Sequence, residues 1–191
     1  MKQIALLVSF ILALSLLPAY GRIPKLKHVD ASDLPISETV KTPVADETCF
    51  APDEPCDAKL TKFVQSAQKS LDIAIFDFNL DKLVHEILVQ SKKVRVRLVV
   101  DRKQAKGGDR NTLAPVLIRA GAQVKYGHQR GIMHNKFIIV DGKMLETGSF
   151  NFTNGAAFKN NENQVYLATP SIIERYQMRF EKLWTEGDLA K

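Results

Sequence analysis

The sequence predicts a single α/β domain in which a mixed β-sheet is sandwiched between helices. Two observations predict it. The apolar pattern switches repeatedly between helical spacing and short buried runs, as it does when strands and helices alternate along a chain. The 191 residues, 45% of them hydrophobic, also suffice for one core and are cramped for two. No internal repeat is present.

The chain opens on Met1 and Lys2, an apolar run from Ile4 to Leu17, and then Pro18-Ala19-Tyr20-Gly21, with Ala19 and Gly21 at signal-cleavage spacing. Residues 1–21 are therefore expected to be a signal peptide, the mature chain starting near Arg22 and the protein being exported, periplasmic or secreted. An uncleaved anchor is the alternative, because Ile4 to Gly21 is near the lower length limit for spanning a bilayer, roughly 17 residues. Residues 22–48, with Pro24, Pro35 and Pro43 and no sustained period, read as a flexible tether, leaving 49–191 as the folded domain. Cys49 and Cys56 could close a small disulfide loop in an oxidising compartment, or could be two unpaired small hydrophobes. They do not read as a zinc site, since no second pair and no nearby histidine completes a ligand set.

Within the domain, Leu60, Phe63, Val64 and Ala67 give Ala58 to Ser70 the spacing of an amphipathic helix, and Leu71 to Phe78 reads as a buried strand. Leu80 to Gln90 is helical again. Val94 to Val100 alternates valine and arginine before turning fully apolar, as a strand entering the core does. Leu113 to Ala120 is a helix stopped by Gly121. After a polar stretch from Tyr126 to Gly131, Lys136 to Val140 is a strongly apolar strand, Asp141-Gly142 a two-residue hairpin signal, and Lys143 to Phe150 the returning strand. Asn163 to Ala168 is a further strand. A closing helix from Ile172 to Trp184 places Ile173, Tyr176, Phe180 and Trp184 on one face, where they read as core.

The chemistry is concentrated in Met133-His134-Asn135-Lys136, Asp141, Gly148-Ser149-Phe150-Asn151-Phe152-Thr153 and Asn161-Glu162-Asn163. If Asp141-Gly142 is a two-residue turn, Val140 pairs with Lys143, and counting back sets His134 opposite Ser149. One strand face then gathers His134, Lys136, Ser149 and Asn151. That set suits phosphodiester chemistry. Imidazole is a nucleophile or proton carrier at neutral pH, and ammonium, hydroxyl and amide donors bind phosphate oxygens as charge develops. Asp141 is out of phase with His134 and is assigned structural work at the turn. Glu162 is a candidate partner for the second ring nitrogen of His134, with a plain surface glutamate as the alternative.

His134-x-Lys136-x4-Asp141 followed by Gly148-Ser149-x-Asn151-x-Thr153 resembles the phospholipase D superfamily, and within it the small secreted bacterial endonucleases that carry one motif copy and work as two-fold homodimers. The resemblance runs from about Phe50 to Trp184. It implies a phospholipase D-like fold, attack of His134 on phosphorus to give a phosphohistidine, and a leaving oxygen protonated by the histidine of a second subunit. It also implies that Lys136, Ser149 and Asn151 hold the non-bridging oxygens and that Glu162 orients a histidine. No cofactor follows from it. No metal site is apparent either, because the chain has no His-Glu-x-x-His, no clustered carboxylates and only one isolated cysteine pair. His28, His85 and His128 are the other histidines of the chain, and His128, near the motif, could line the cleft or be an ordinary loop histidine, the reading its setting favours.

A formal charge of +6 and a pI of about 9.3 favour a polyanionic partner such as DNA or RNA, or an acidic membrane surface; plain solubility is the bland alternative. Lys92, Lys93, Arg95, Arg97, Arg102, Lys103, Lys106 and Arg110 could neutralise phosphates along a strand, or could be a solvated face. The motif reads a phosphodiester and not what hangs from it, so a nuclease and a lipid phosphodiesterase both fit; a non-catalytic nucleic-acid binder would not need a nucleophile. The mature chain shows no amphipathic surface helix or long hydrophobic loop, so no stable membrane association is expected once the signal is cleaved.

Overall fold

The computed structural model describes residues 46–107, 113–127 and 131–190. The expected signal peptide, nearly all of the tether, His28, Arg110 and His128 lie outside the described residues. In chain order the elements are β1 (Glu47–Ala51), α1 (Cys56–Gln65), β2 (Ser70–Ile75), α2 (Asp81–Gln90), β3 (Arg95–Asp101), α3 (Arg102–Lys106), α4 (Leu113–Arg119), β4 (Gln123–Gly127), β5 (Lys136–Val140), β6 (Met144–Gly148), α5 (Asn154–Phe158), β7 (Glu162–Leu167), α6 (Pro170–Glu186) and β8 (Asp188–Leu189). The described strands form one sheet in the order β1-β7-β6-β5-β2-β3-β4-β8. Strands β2, β3 and β4 run parallel, with helices between them in sequence, and β5, β6 and β7 form an antiparallel meander beside β2.

Apolar side chains of the central strands alternate between two cores, because both faces of the sheet are covered. Leu71, Ile73 and Ile75 of β2 join Leu60 and Phe63 of α1, Leu83 and Ile87 of α2 and Leu117 of α4. On the other face Ala74, Val99, Phe137, Ile139 and Leu145 pack against Ile173, Phe180 and Leu183 of α6. Tyr176 and Trp184, expected in that core, are only partly buried against it, and Leu183 fills the position instead. Among the described residues no helix is long and apolar enough to cross a membrane.

Strand β1 begins at Glu47, two residues inside the stretch read as a tether, and pairs antiparallel with β7. Cys49 of β1 and Cys56 at the start of α1 are joined by a disulfide. Strands β1 and β4 and the short elements α3, α5 and β8 are not among the elements the sequence predicts. Strand β4 carries only Val124 and Tyr126 as large apolar side chains, too few to mark a strand from sequence.

The hairpin differs from the expected one by a single residue. Asp141 and Gly142 both take positive φ, 55° and 65°, and the Lys143 N–H donates to the Val140 carbonyl at 2.9 Å, as in a two-residue turn. The ladder, however, resumes with Val140 opposite Met144 and Phe137 opposite Thr147, so Lys143 is an extra residue. A one-residue slip exchanges the faces, and the expected pairing of His134 with Ser149 does not form.

Arg97, counted above among phosphate-binding candidates, is committed elsewhere. Its guanidinium donates to both oxygens of buried Asp72 at 2.8 Å and to Glu181 of α6 at 2.6 Å, and lies 4.8 Å from the ring centre of Phe180. Gln177 Nε2 completes the Asp72 shell at 2.9 Å. Burial alone would raise the Asp72 carboxyl, but the bonds from Arg97 and Gln177 outweigh it and hold the group below its ordinary range. Removing one member of such a pair strands the other, at a typical cost of about 3–5 kcal/mol. Urea unfolding of Arg97→Ala should show a loss of that order, and Asp72→Leu combined with Arg97→Met should recover most of it; a loss of only ~0.5 kcal/mol would class the pair with ordinary surface pairs.

Candidate active site

The topology brings the ends of β2, β3, β4 and β6 and the starts of β5 and β7 to one edge of the sheet. His134 lies there, two residues before β5, with an exposed side chain. Its ring meets the edge of Phe76 at 4.6 Å between centroids and an interplanar angle of 65°. Phe76 stands there because it follows Ile75, the β2 residue that pairs with Lys136. It was not among the residues singled out from sequence, where it reads as one more apolar strand position.

Lys136, the first residue of β5, is buried, and its Nζ donates to the His134 carbonyl at 3.1 Å and lies 5.3 Å from the Phe76 ring centre. Burial pushes its pKa below the ordinary lysine value, and the Glu162 carboxylate partly opposes that shift. One aromatic ring thus contacts both the imidazole and the ammonium.

Ser149 follows the last residue of β6. Its hydroxyl donates to Glu162 Oε2 at 2.5 Å and accepts from the Asn163 backbone N–H at 3.1 Å and from Asn163 Nδ2 at 3.3 Å. Asn160 Nδ2 donates to the other Glu162 oxygen at 3.1 Å. Gly148 makes this approach sterically allowed, since a Cβ there would fall 2.1 Å from the Asn163 carbonyl oxygen. Asn151 lies in the loop between the buried rings of Phe150 and Phe152, and its Oδ1 is buried with no hydrogen-bond partner. An unpaired buried acceptor typically costs about 1–3 kcal/mol.

The structure therefore assembles two groups rather than one strand face: His134, Lys136 and Phe76 on the β2–β5 side, and Ser149, Glu162 and Asn163 on the β6–β7 side. Lys136 and Glu162 couple them electrostatically. Within one chain Glu162 makes no hydrogen bond to His134; its oxygens are taken by Ser149 and Asn160. Asp141 is at the far end of β5, where its carboxylate accepts from the backbone N–H groups of Gln68, Lys69 and Ser70 at 3.0, 2.7 and 2.8 Å. His85 is exposed on α2.

The basic run is not a continuous strip. Lys92, Lys93 and Arg95 lie at the start of β3, away from His134, and Arg95 pairs with Asp72 at 3.1 Å. Lys103 and Lys106 lie on α3, at the His134 edge, where Lys106 Nζ is 5.1 Å from the Tyr126 ring centre. Arg102 pairs with Asp188.

This fold and this edge define a phosphodiesterase of a recognisable architecture, and comparison with known proteins agrees. The family profile described as cardiolipin synthase, PLD-like domain, matches residues 60–184. The chain is 34% identical over 195 residues to the mitochondrial cardiolipin hydrolase of Xenopus tropicalis, covering 99% of this chain and 91% of that protein. It is 33% identical over 155 residues to phospholipase D of Rickettsia felis, covering 80% and 72%. Among solved structures, the phospholipase D family member Nuc of Salmonella typhimurium superimposes with a TM-score of 0.73 at 25% identity, covering 77% of this chain and 98% of that one. NucT of Helicobacter pylori shares the fold, with a TM-score of 0.69 at 22% identity and coverage of 76% and 98%. The chain belongs to the phospholipase D superfamily.

The depressed Lys136 pKa has a signed consequence. If turnover needs the ammonium, the alkaline limb of activity falls below the ordinary lysine range. Glu162→Gln, which removes the supporting carboxylate, should lower the Lys136 pKa further. Side-chain NMR titration of Lys136 in both proteins reads this independently of turnover, and an unmoved midpoint would remove Glu162 from the electrostatics of Lys136.

Proposed function

We propose that this phosphodiesterase is an exported, metal-independent endonuclease that cleaves DNA or RNA through a phosphohistidine on His134 and works as a homodimer. The observation that carries the proposal is the exposed imidazole of His134 beside a buried ammonium, Lys136, with the Ser149–Glu162 pair and Asn151 on the neighbouring strand ends. A His134 ring nitrogen attacks phosphorus and the P–O bond to the leaving alkoxide breaks. The proton for that oxygen comes from the protonated His134 of the partner subunit, since one chain supplies one such histidine. Water then attacks phosphorus, giving its proton back to that second imidazole, and the P–N bond breaks. Lys136 supplies the fixed positive charge that stabilises the extra negative charge on the phosphoryl oxygens.

Metal independence is supported by the donor set, in which the Glu162 carboxylate acts on Lys136 and has its oxygens taken by Ser149 and Asn160. Among the described residues the group of metal-ligand type is Cys49, Glu54 and Cys56, whose sulfurs are bonded to each other. Nucleic acid is favoured by the net charge of +6, by Lys103 and Lys106 at the site edge, and by the resemblance to the single-motif endonucleases. A second reading, cleavage of a glycerophospholipid, is favoured by the cardiolipin hydrolase and phospholipase D relatives.

Purified mature protein with DNA, RNA and cardiolipin vesicles in excess EDTA separates the readings. Cleavage of nucleic acid that persists in chelator and is lost in folded His134→Ala is the expected result. Cleavage of the vesicles alone would shift the assignment to the lipid. Activity restored only by a divalent ion would remove the metal-independent mechanism.

The shared site is tested by subunit mixing. With equal wild-type and His134→Ala subunits under exchange, only wild-type pairs act if each centre needs both histidines, leaving roughly a quarter of the activity under random pairing. Roughly half would remain if each subunit worked alone.

A further inference from the structure

We infer that Asp101 is a positioning residue for His134, an inference that rests on the reading of His134 as the nucleophile. Asp101 ends β3 and is 3% exposed, and its two carboxylate oxygens do different work. Oδ1 accepts from the backbone N–H groups of Lys103 and Gln104 at 2.9 and 3.0 Å, capping the short helix α3. Oδ2 accepts from the Met133 N–H at 2.9 Å, across thirty-two residues of sequence. A cap needs one oxygen, which serine or asparagine also provides. The second oxygen is what ties the residue before His134 to the end of β3.

Met133 is held at two further points. Its side chain is 2% exposed, in the core beneath α6. Its Cβ and Cγ occupy space left free by Gly127 at the end of β4, where an added Cβ would come within 2.6 and 2.8 Å of them. His134 lies outside the sheet ladder, so strand pairing does not fix its backbone. Its place is set from one side by the Met133 anchor and from the other by Lys136 Nζ on its carbonyl, with Phe76 against the ring. A nucleophile must sit within a few tenths of an ångström of its line of attack, and a displacement of about 1 Å can cost a hundredfold in rate.

Three variants separate positioning from folding. Asp101→Asn keeps an oxygen for the α3 cap and turns an amide toward Met133. Asp101→Ser keeps the cap and lacks the second oxygen. Gly127→Ala displaces Met133 without touching the carboxylate. With the small diester bis(p-nitrophenyl) phosphate as probe, each folded variant should keep KM within about twofold and lose about tenfold to a hundredfold in kcat. Amide hydrogen exchange at Met133 and His134 should accelerate in all three, while exchange in β2 and β3 stays as in the wild type. Wild-type kcat in Asp101→Ser or in Gly127→Ala, with His134→Ala inactive, would overturn the positioning role and leave the nucleophile in place. Wild-type kcat in His134→Ala would overturn the nucleophile itself. Should the Asp101 variants fail to fold, Gly127→Ala alone decides by the same kcat-against-KM split.

Discussion

All five residues of β5 are buried, because the strand is inserted antiparallel between β2 and β6 with helical layers against both faces. That insertion is what places chemistry at the sheet edge. The pairing of Ile75 with Lys136 sets the end of β2 beside the start of β5, bringing Phe76 to His134. Each end of the strand is secured by an aspartate accepting three backbone N–H groups: Asp141 from Gln68, Lys69 and Ser70, and Asp101 from Lys103, Gln104 and Met133. Ionised oxygens aimed at several backbone donors make strong, directional bonds, so β5 is tied to its neighbours by more than its ladder. In a strand buried on both sides, the first residue is where an ammonium can sit with its stem in the core and its head at the rim, and Lys136 occupies it.

Much of this layout is readable from residues. The alternation of helical and strand periods marks α1, β2, α2, β3, α4, β5, β6, β7 and α6, because both faces of the sheet are apolar and the buried runs are long. What escapes is short or depends on distant partners. Strand β4 has two large apolar residues, and α3 and α5 have five residues each, too few to show a period. The hairpin misleads because its turn is of the expected kind and the extra residue, Lys143, comes just after it. The residues of the site are legible as a set, but their grouping is not. Ser149 meets Glu162 because β7 pairs with β6 there, a long-range fact with no local signature.

Charge shows the same limit. A run of cations in sequence makes a phosphate footprint only where neighbours in sequence are also neighbours in space. Strand β3 separates them, with Lys92, Lys93 and Arg95 at one end of the sheet and Lys103 and Lys106 at the other. Arg97 lies between, its charge matched by Asp72 and Glu181. The footprint at the His134 edge is therefore smaller than the net charge of +6 implies, and a nucleic acid bound there would release fewer counterions than eight cations would.

Two glutamates on neighbouring strands complete the electrostatic picture. Glu146 stands opposite Ile138 on β5 and Tyr166 on β7, and is 1% exposed. Lys136, two residues before Ile138, shares that face of the sheet. Burial drives the Glu146 pKa well above the usual carboxyl range, and its Oε2 has no hydrogen-bond partner. The carboxylate that supports the Lys136 ammonium is Glu162, at the rim and already bonded to Ser149. Burial thus disfavours charge at the depth of Glu146, and the charge that supports the Lys136 ammonium comes from the rim, where the Glu162 carboxylate also accepts from Ser149 and Asn160.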